Sequence, residues 1–127
     1  MKLGVLGAGH IAEVVAPTWV AMDGIECYAV SSRSLDKAEA FAQKFGFQKA
    51  YGSYEEMLCD PEVQLVYITT PHSHHFEHMM LCLEYGKHVI CEKAFTMNAQ
   101  QARIVRDTAA RKGLYVAEAI WTRYMPS

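Results

Sequence analysis

Gly7-Ala8-Gly9-His10-Ile11-Ala12 constrains the fold of this chain more than any other stretch. It follows the apolar run Leu3-Gly4-Val5-Leu6 and leads into a helical pattern at Ile11. A tight turn between strand and helix needs the backbone freedom of Gly7, and a bare Gly9 lets a ligand approach the main chain. Ala12 is small enough for helix and strand to pack closely. Amide groups at the start of a helix, at the positive end of its dipole, favour an anion such as a pyrophosphate. The hexapeptide alone is also compatible with a purely structural turn. Its place at the first strand–helix junction of an alternating chain points to a bound dinucleotide.

The alternation continues to the end of the sequence. Lys2 to Leu6, Ile25 to Ser31, Lys49 to Tyr51, Val63 to Ile68, His88 to Cys91 and Leu114 to Ala117 read as strands. Between them lie helical faces: Ile11, Val14, Val15 and Thr18; Ala38, Phe41, Ala42 and Phe45; Phe76, Met79, Met80 and Leu83; Ala102, Val105 and Ala109. Ser34 reads as an N-cap and Gly46 as a stop. Ser53-Tyr54-Glu55-Glu56 is a capping box, and Asn98 with Gln101 can cap the last helix. Pro17 is expected to kink or weaken the first helix. Parallel strands need crossover helices, so the order implies a parallel sheet with helices on both faces.

With 127 residues the chain is one domain, large enough for a real core. A net charge of −2 leaves no basic footprint for nucleic acid. No apolar run is long enough to span a membrane, and Lys2 enters a strand without a signal-peptide pattern. Cys27, Cys59, Cys82 and Cys91 are scattered and form no CxxC pair, which suggests reduced thiols and a cytoplasmic setting.

In open α/β sheets, ligands bind beyond the carboxyl ends of the strands. The unusual polar residues gather there: Gly7 to His10, Ser31 to Ser34, Thr69 to His75, Glu92-Lys93 and Glu118. The end of the second strand reads Ser31-Ser32-Arg33-Ser34, with no carboxylate before Asp36. Hydroxyls and a guanidinium suit a 2′-phosphate, so NADP is expected over NAD. The alternative is a solvated Arg33 that stacks on adenine and tolerates NAD. Lys93 beside Glu92 can orient a hydroxyl or carbonyl and move a proton, or can be an ordinary surface ion pair. His74 and His78 have a spacing compatible with metal ligation but lack a third ligand, so no metal is expected. His75 is expected at the mouth of the crevice.

Taken together, several motifs resemble one family. They are Gly7-Ala8-Gly9-His10-Ile11-Ala12, then Ser32-Arg33-Ser34 with Lys37 to Ala42, then Thr70-Pro71-His72-Ser73-His74-His75, Cys91-Glu92-Lys93, and Glu118 to Tyr124. The chain is similar to the nucleotide-binding domain of the Gfo/Idh/MocA oxidoreductases, within the dihydrodiol and xylose dehydrogenase branch. The resemblance implies a Rossmann-type doubly wound sheet of about six strands and NAD(P)-dependent hydride transfer at a sugar, polyol or diol carbon. It implies that Lys93, held by Glu92, binds the reacting hydroxyl. It implies that Gly7, Ala8, Gly9, His10, Ile11, Ser32, Arg33, Ser34, Lys37, Thr70, Pro71, His75, Glu92, Trp121 and Arg123 lie along the cofactor. Ala94 stands where the family's Glu-Lys-Pro motif has proline, leaving the backbone around Lys93 less restricted.

The family carries a C-terminal α/β substrate domain with the acid–base residue, and forms dimers or tetramers through it. On this reading residues 1–118 are the NAD(P)-binding domain and residues 119–127 begin the connection onward. The chain alone is then expected not to turn over. A non-catalytic nucleotide sensor of the same fold is the main alternative; a transferase binding another adenine nucleotide is a weaker one.

Overall fold

Short apolar runs between amphipathic segments can bury both faces only as strands inside a layered α/β structure, and the chain folds this way. The computed structural model describes residues 1–91 and 99–118. In chain order the elements are β1 (Lys2–Leu6), α1 (His10–Ala21), β2 (Glu26–Ser31), α2 (Leu35–Phe45), β3 (Lys49–Tyr51) and α3 (Tyr54–Leu58). They continue with β4 (Leu65–Ile68), a 3-10 turn (His72–His74), α4 (His75–Glu84), β5 (His88–Cys91), α5 (Ala99–Lys112) and β6 (Val116–Glu118). The sheet has six strands in the order β3-β2-β1-β4-β5-β6. Every pairing is parallel.

Register aligns the strand ends. Tyr51, Ser31, Leu6, Ile68, Cys91 and Glu118 pair in one row across the sheet. Gly7, Ser32 and Thr69 follow directly in sequence, so their loops leave the sheet at one edge. The order of strands reverses between β1 and β4, which opens the crevice where such folds bind ligands.

Helices cover both faces. Ala12, Val15, Ala16 and Trp19 of α1 and Ala38, Phe41 and Ala42 of α2 pack on Leu3, Val5, Val30, Leu65 and Tyr67. Met57 and Leu58 of α3, Met79, Cys82 and Leu83 of α4, and Val105 and Ala109 of α5 share the other core with Leu6, Val66, Ile68 and Val89. β1 carries Gly4 where α3 comes closest: a Cβ there would lie 2.8 Å from Val63 Cγ1 and 3.0 Å from Met57 Sδ.

Several expectations shift. The inward stripe of α1 is Ala12, Val15, Ala16 and Trp19, whereas Val14 is exposed. The decisive contact is Trp19, packed edge-on to Tyr67 at 4.7 Å and to Phe47 at 6.3 Å. The helix runs on through the exposed Pro17 to Ala21. In α4, His75 and Cys82 are buried with Met79 and Leu83, and in α5 Thr108 is buried with Val105 and Ala109. β6 starts two residues later than expected. The Leu114 amide closes α5 onto Ala109 O at 2.8 Å, and the Tyr115 amide donates to His88 Nδ1 at 3.0 Å. Asn98 lies outside the described residues.

Ser34 caps α2 by accepting from the Lys37 amide at 3.4 Å, and Ser53 caps α3 by accepting from the Glu56 amide at 3.2 Å. Among the described residues no disulfide joins Cys27, Cys59, Cys82 and Cys91. No helix among them is long and apolar enough to cross a membrane.

A second polar feature was not anticipated. The Asp60 carboxylate accepts from Tyr28 Oη at 2.8 Å, Tyr51 Oη at 2.7 Å and the Glu62 amide at 2.9 Å. Buried Lys87 donates from Nζ to Asp60 O at 2.9 Å and Val63 O at 2.7 Å. Burial pushes the Lys87 ammonium below its ordinary pKa, with Asp60 opposing.

Candidate dinucleotide-binding crevice

The glycine turn forms the floor of the crevice. Gly7 sits at φ +113° and donates its amide to Ser31 O at 2.9 Å, tying the turn to the end of β2. A Cβ at Gly7 would fall 2.6 Å from Thr69 Oγ1, whose hydroxyl lies 3.2 Å from Leu6 O. Gly7→Ala therefore combines a left-handed backbone with a clash. It is expected to cost roughly 2–4 kcal/mol and to push the β4–α4 loop away from the turn. Chemical denaturation of the variant beside the parent chain measures this.

Gly9 differs. It is the N-cap of α1, with no side-chain cap, and a Cβ there would meet nothing within 4 Å. The space above it is open. The first amides of α1, from His10 and Ile11, therefore start a helix that no side chain closes, which fits an incoming anion. Ala8 is half-buried and His10 exposed beside them; Ile11 turns its side chain to the core.

A groove of about 320 Å³ runs from this turn across the β1/β4 switch point. Gly7, Ala8 and Gly9 line one side, Ser32, Arg33 and Lys37 the β2 end, and Thr69, Thr70 and Pro71 the β4 end. Tyr54 completes it. Exposed Arg33 stands at the tip of the β2–α2 turn, and no ion pair joins it to a carboxylate among the described residues. Ser32 Oγ accepts from the Ser34 amide at 3.2 Å, which bends the turn around Arg33. Lys37, in the first turn of α2, also lines a neighbouring depression shared with His10 and Lys44.

His75 is a correction. The ring was expected at the mouth of the crevice, but it is fully buried on the inward face of α4. Its Nε2 donates to Thr70 O at 2.7 Å, so it braces the Thr70-Pro71 loop from behind. The cause is position: His75 opens α4 on the same stripe as Met79 and Cys82, which faces the sheet. His78 is the histidine that reaches the groove wall, with Nδ1 2.7 Å from Thr70 Oγ1. His74 and His78 lie ring to ring at 5.6 Å, and no group of three or more metal-ligating side chains forms among the described residues.

Tyr54 and His78 were not singled out for this site. Tyr54 directly follows the Ser53 cap, a placement that brings α3 to the edge of the crevice. Glu92, Lys93, Trp121 and Arg123 lie outside the described residues, although Glu92 and Lys93 follow Cys91 directly in sequence.

Comparison with known proteins agrees with this geometry. A D-xylose 1-dehydrogenase (NADP(+)) from Hypocrea jecorina is 46% identical over 138 residues, 99% of this chain and 35% of that protein. A trans-1,2-dihydrobenzene-1,2-diol dehydrogenase from Mus musculus is 41% identical over 129 residues, 100% of this chain and 39% of that protein. A solved 3-ketoreductase from Actinomadura kijaniata, in complex with NADP and TDP-benzene, superposes with a TM-score of 0.92 at 30% identity. The match covers 100% of this chain and 39% of the ketoreductase. The chain thus spans between a third and two fifths of the length of these relatives. The profile of the Gfo/Idh/MocA oxidoreductase family, NAD-binding Rossmann fold, matches residues 1–119, and the chain belongs to that family.

Proposed function

We propose that this chain is the cofactor-binding part of an NADP-dependent oxidoreductase acting at a hydroxyl or carbonyl carbon of a sugar, polyol or trans-dihydrodiol. The observation that carries the proposal is the uncapped start of α1 over an open Gly9, set at the strand-order reversal. The amides of Ala8 to Ile11 would hold the pyrophosphate. Arg33, Ser32, Ser34 and Lys37 would take the 2′-phosphate, since the turn offers donors and no carboxylate before Asp36. Thr70 and Pro71 would bound the nicotinamide side. When bound, the nicotinamide supplies the acceptor or donor of the hydride.

The chain's own chemistry would centre on Lys93, one residue past Glu92 at the exit of β5. Its ammonium can donate a hydrogen bond to the reacting oxygen and stabilise negative charge growing there, with Glu92 holding it in place. Residues 1–118 would form the cofactor domain, and Trp121 and Arg123, in residues 119–127, would lie near the bound ligands as the chain leads onward. The parent protein would be a cytoplasmic homo-oligomer.

Parallel calorimetric titrations with NADP and NAD test the cofactor. NADP is expected to bind at least about tenfold more tightly, a difference of about 1.4 kcal/mol. Binding of neither nucleotide ends the proposal, and tighter binding of NAD removes the role given to Arg33.

A further inference from the structure

A second cavity, of about 470 Å³, opens beside the groove and shares Arg33 and Tyr54 with it. Its far wall is His74, Glu77 and His78. His78 lies in the first turn of α4, half-buried, edge-on to Tyr54 at 5.1 Å and tilted 30° against His74 at 5.6 Å. Its bond to Thr70 Oγ1 reaches the glycine turn: Thr70 Cγ2 stands only 3.3 Å from where a Gly7 Cβ would be. One imidazole thus holds the rotamer of a groove-wall residue and borders the cavity that Arg33 enters.

The groups facing His78 come from four segments. The 3-10 turn and α4 present His74, His75 and Glu77; the β2–α2 turn presents Arg33; α3 presents Tyr54 and Glu55. Burial, then His74, hold the His78 pKa below its ordinary value; Glu77 opposes, and Arg33 and His75 push it further down. Burial thus favours the neutral ring, and the fixed charges beside it are the Arg33 guanidinium and the Glu77 and Glu55 carboxylates. A dianionic phosphate arriving at Arg33 offsets the Arg33 charge and attracts an imidazolium.

We propose that His78 is a specificity-determining residue of the dinucleotide site, taking up a proton when NADP binds and not when NAD binds. The inference rests on the reading of the groove as an NADP site. The proton comes from solvent, and both ring nitrogens then carry hydrogen. Nδ1–H must donate to Thr70 Oγ1, and the hydroxyl hydrogen of Thr70 turns away to another acceptor. Acidification from about pH 8 to pH 6.5 then favours NADP over NAD through His78. The phosphate, with its own second pKa near ~6, releases protons on binding to a cation, which is the opposite sign.

Calorimetry of NADP and NAD binding at about pH 7, in two buffers of different ionisation enthalpy, counts the protons. The parent chain is expected to take up more protons with NADP than with NAD, and His78→Gln to lose that excess. Equal proton counts for the two nucleotides, or an unchanged excess in His78→Gln, overturn the inference while the cofactor reading stands. Absence of binding by both nucleotides removes the cofactor reading itself and the inference with it. Should His78→Gln fail to fold, imidazole proton resonances of the parent chain decide the matter. NADP is expected to raise the proton affinity of His78 by about tenfold, one pKa unit, and NAD to leave it nearly unchanged. No rise with NADP refutes the assignment.

Discussion

Arg33→Asp is expected to weaken NADP binding by about a hundredfold or more and to turn the preference toward NAD. Charge-assisted hydrogen bonds contribute roughly 1.5–3 kcal/mol, and a carboxylate in their place adds repulsion against a phosphate dianion. Together these give about 3–4 kcal/mol, or two to three powers of ten. The same carboxylate can accept from the ribose 2′-hydroxyl of NAD. Calorimetric titration of both nucleotides reads the switch. Folding is a clean control, because Arg33 is exposed and makes no ion pair among the described residues. The melting free energy should stay within about 0.5 kcal/mol of the parent chain. Undiminished NADP affinity would remove Arg33 as the phosphate contact.

The largest effect on stability is expected at Asp60, which is not among the residues lining the groove. Its carboxylate gathers two tyrosine hydroxyls and one amide, and its carbonyl accepts from Lys87. Asp60→Ala keeps the carbonyl that Lys87 uses but leaves the two hydroxyls and the Glu62 amide without their acceptor, and denaturant unfolding should register a loss of about 3–5 kcal/mol. Asp60→Asn keeps an acceptor and should recover part of it. Burial pushes the Asp60 pKa up, but the bonds from Tyr51, the Glu62 amide and Tyr28 outweigh burial and leave it below its ordinary value. A carboxyl more acidic in the folded than in the unfolded chain stabilises the fold fully above the unfolded value near ~3.9. That contribution is lost as pH falls from there through the folded value. The parent chain should therefore lose stability in this acid window, and Asp60→Ala should lose less. Burial, then the bond from its hydroxyl to Asp60, raise the Tyr28 phenol to about 12. A flat acid profile in the parent chain would show that the cluster does not couple to folding.

Much of the architecture was legible because it is written in local chemistry. Gly7, Gly9, Ser34, Gly46 and Ser53 each act through a few neighbouring backbone groups, and each occupies the turn or cap that its residue type suits. Faces shared between distant segments were harder to read. Val14 matches the apolar spacing of α1 as well as Trp19 does, and only the position of Tyr67, 48 residues after Trp19 in sequence, makes Trp19 the inward residue. His75 and His78 illustrate the same limit at the site. They are three residues apart, yet one enters the core and the other the crevice wall, because α4 sits with its Met79 stripe on the sheet. The Asp60–Lys87 cluster had no local signal, since its members come from β2, β3 and the loops before β4 and β5.

The position of β1 has a consequence for how the molecule is made. It is made before the other strands of this sheet, yet it belongs at the sheet's centre, hydrogen-bonded to β4, about 60 residues later in sequence. Until Ile68 has emerged, the nascent chain can pair β1 only on its β2 side. The other edge of β1 stays bare, carrying Leu3, Val5 and Leu6 with no partner. Topologies of this kind fold slowly and expose strand edges while they wait. Chaperone capture of stalled nascent chains should therefore be strongest before Leu65–Ile68 emerges and fall once it has.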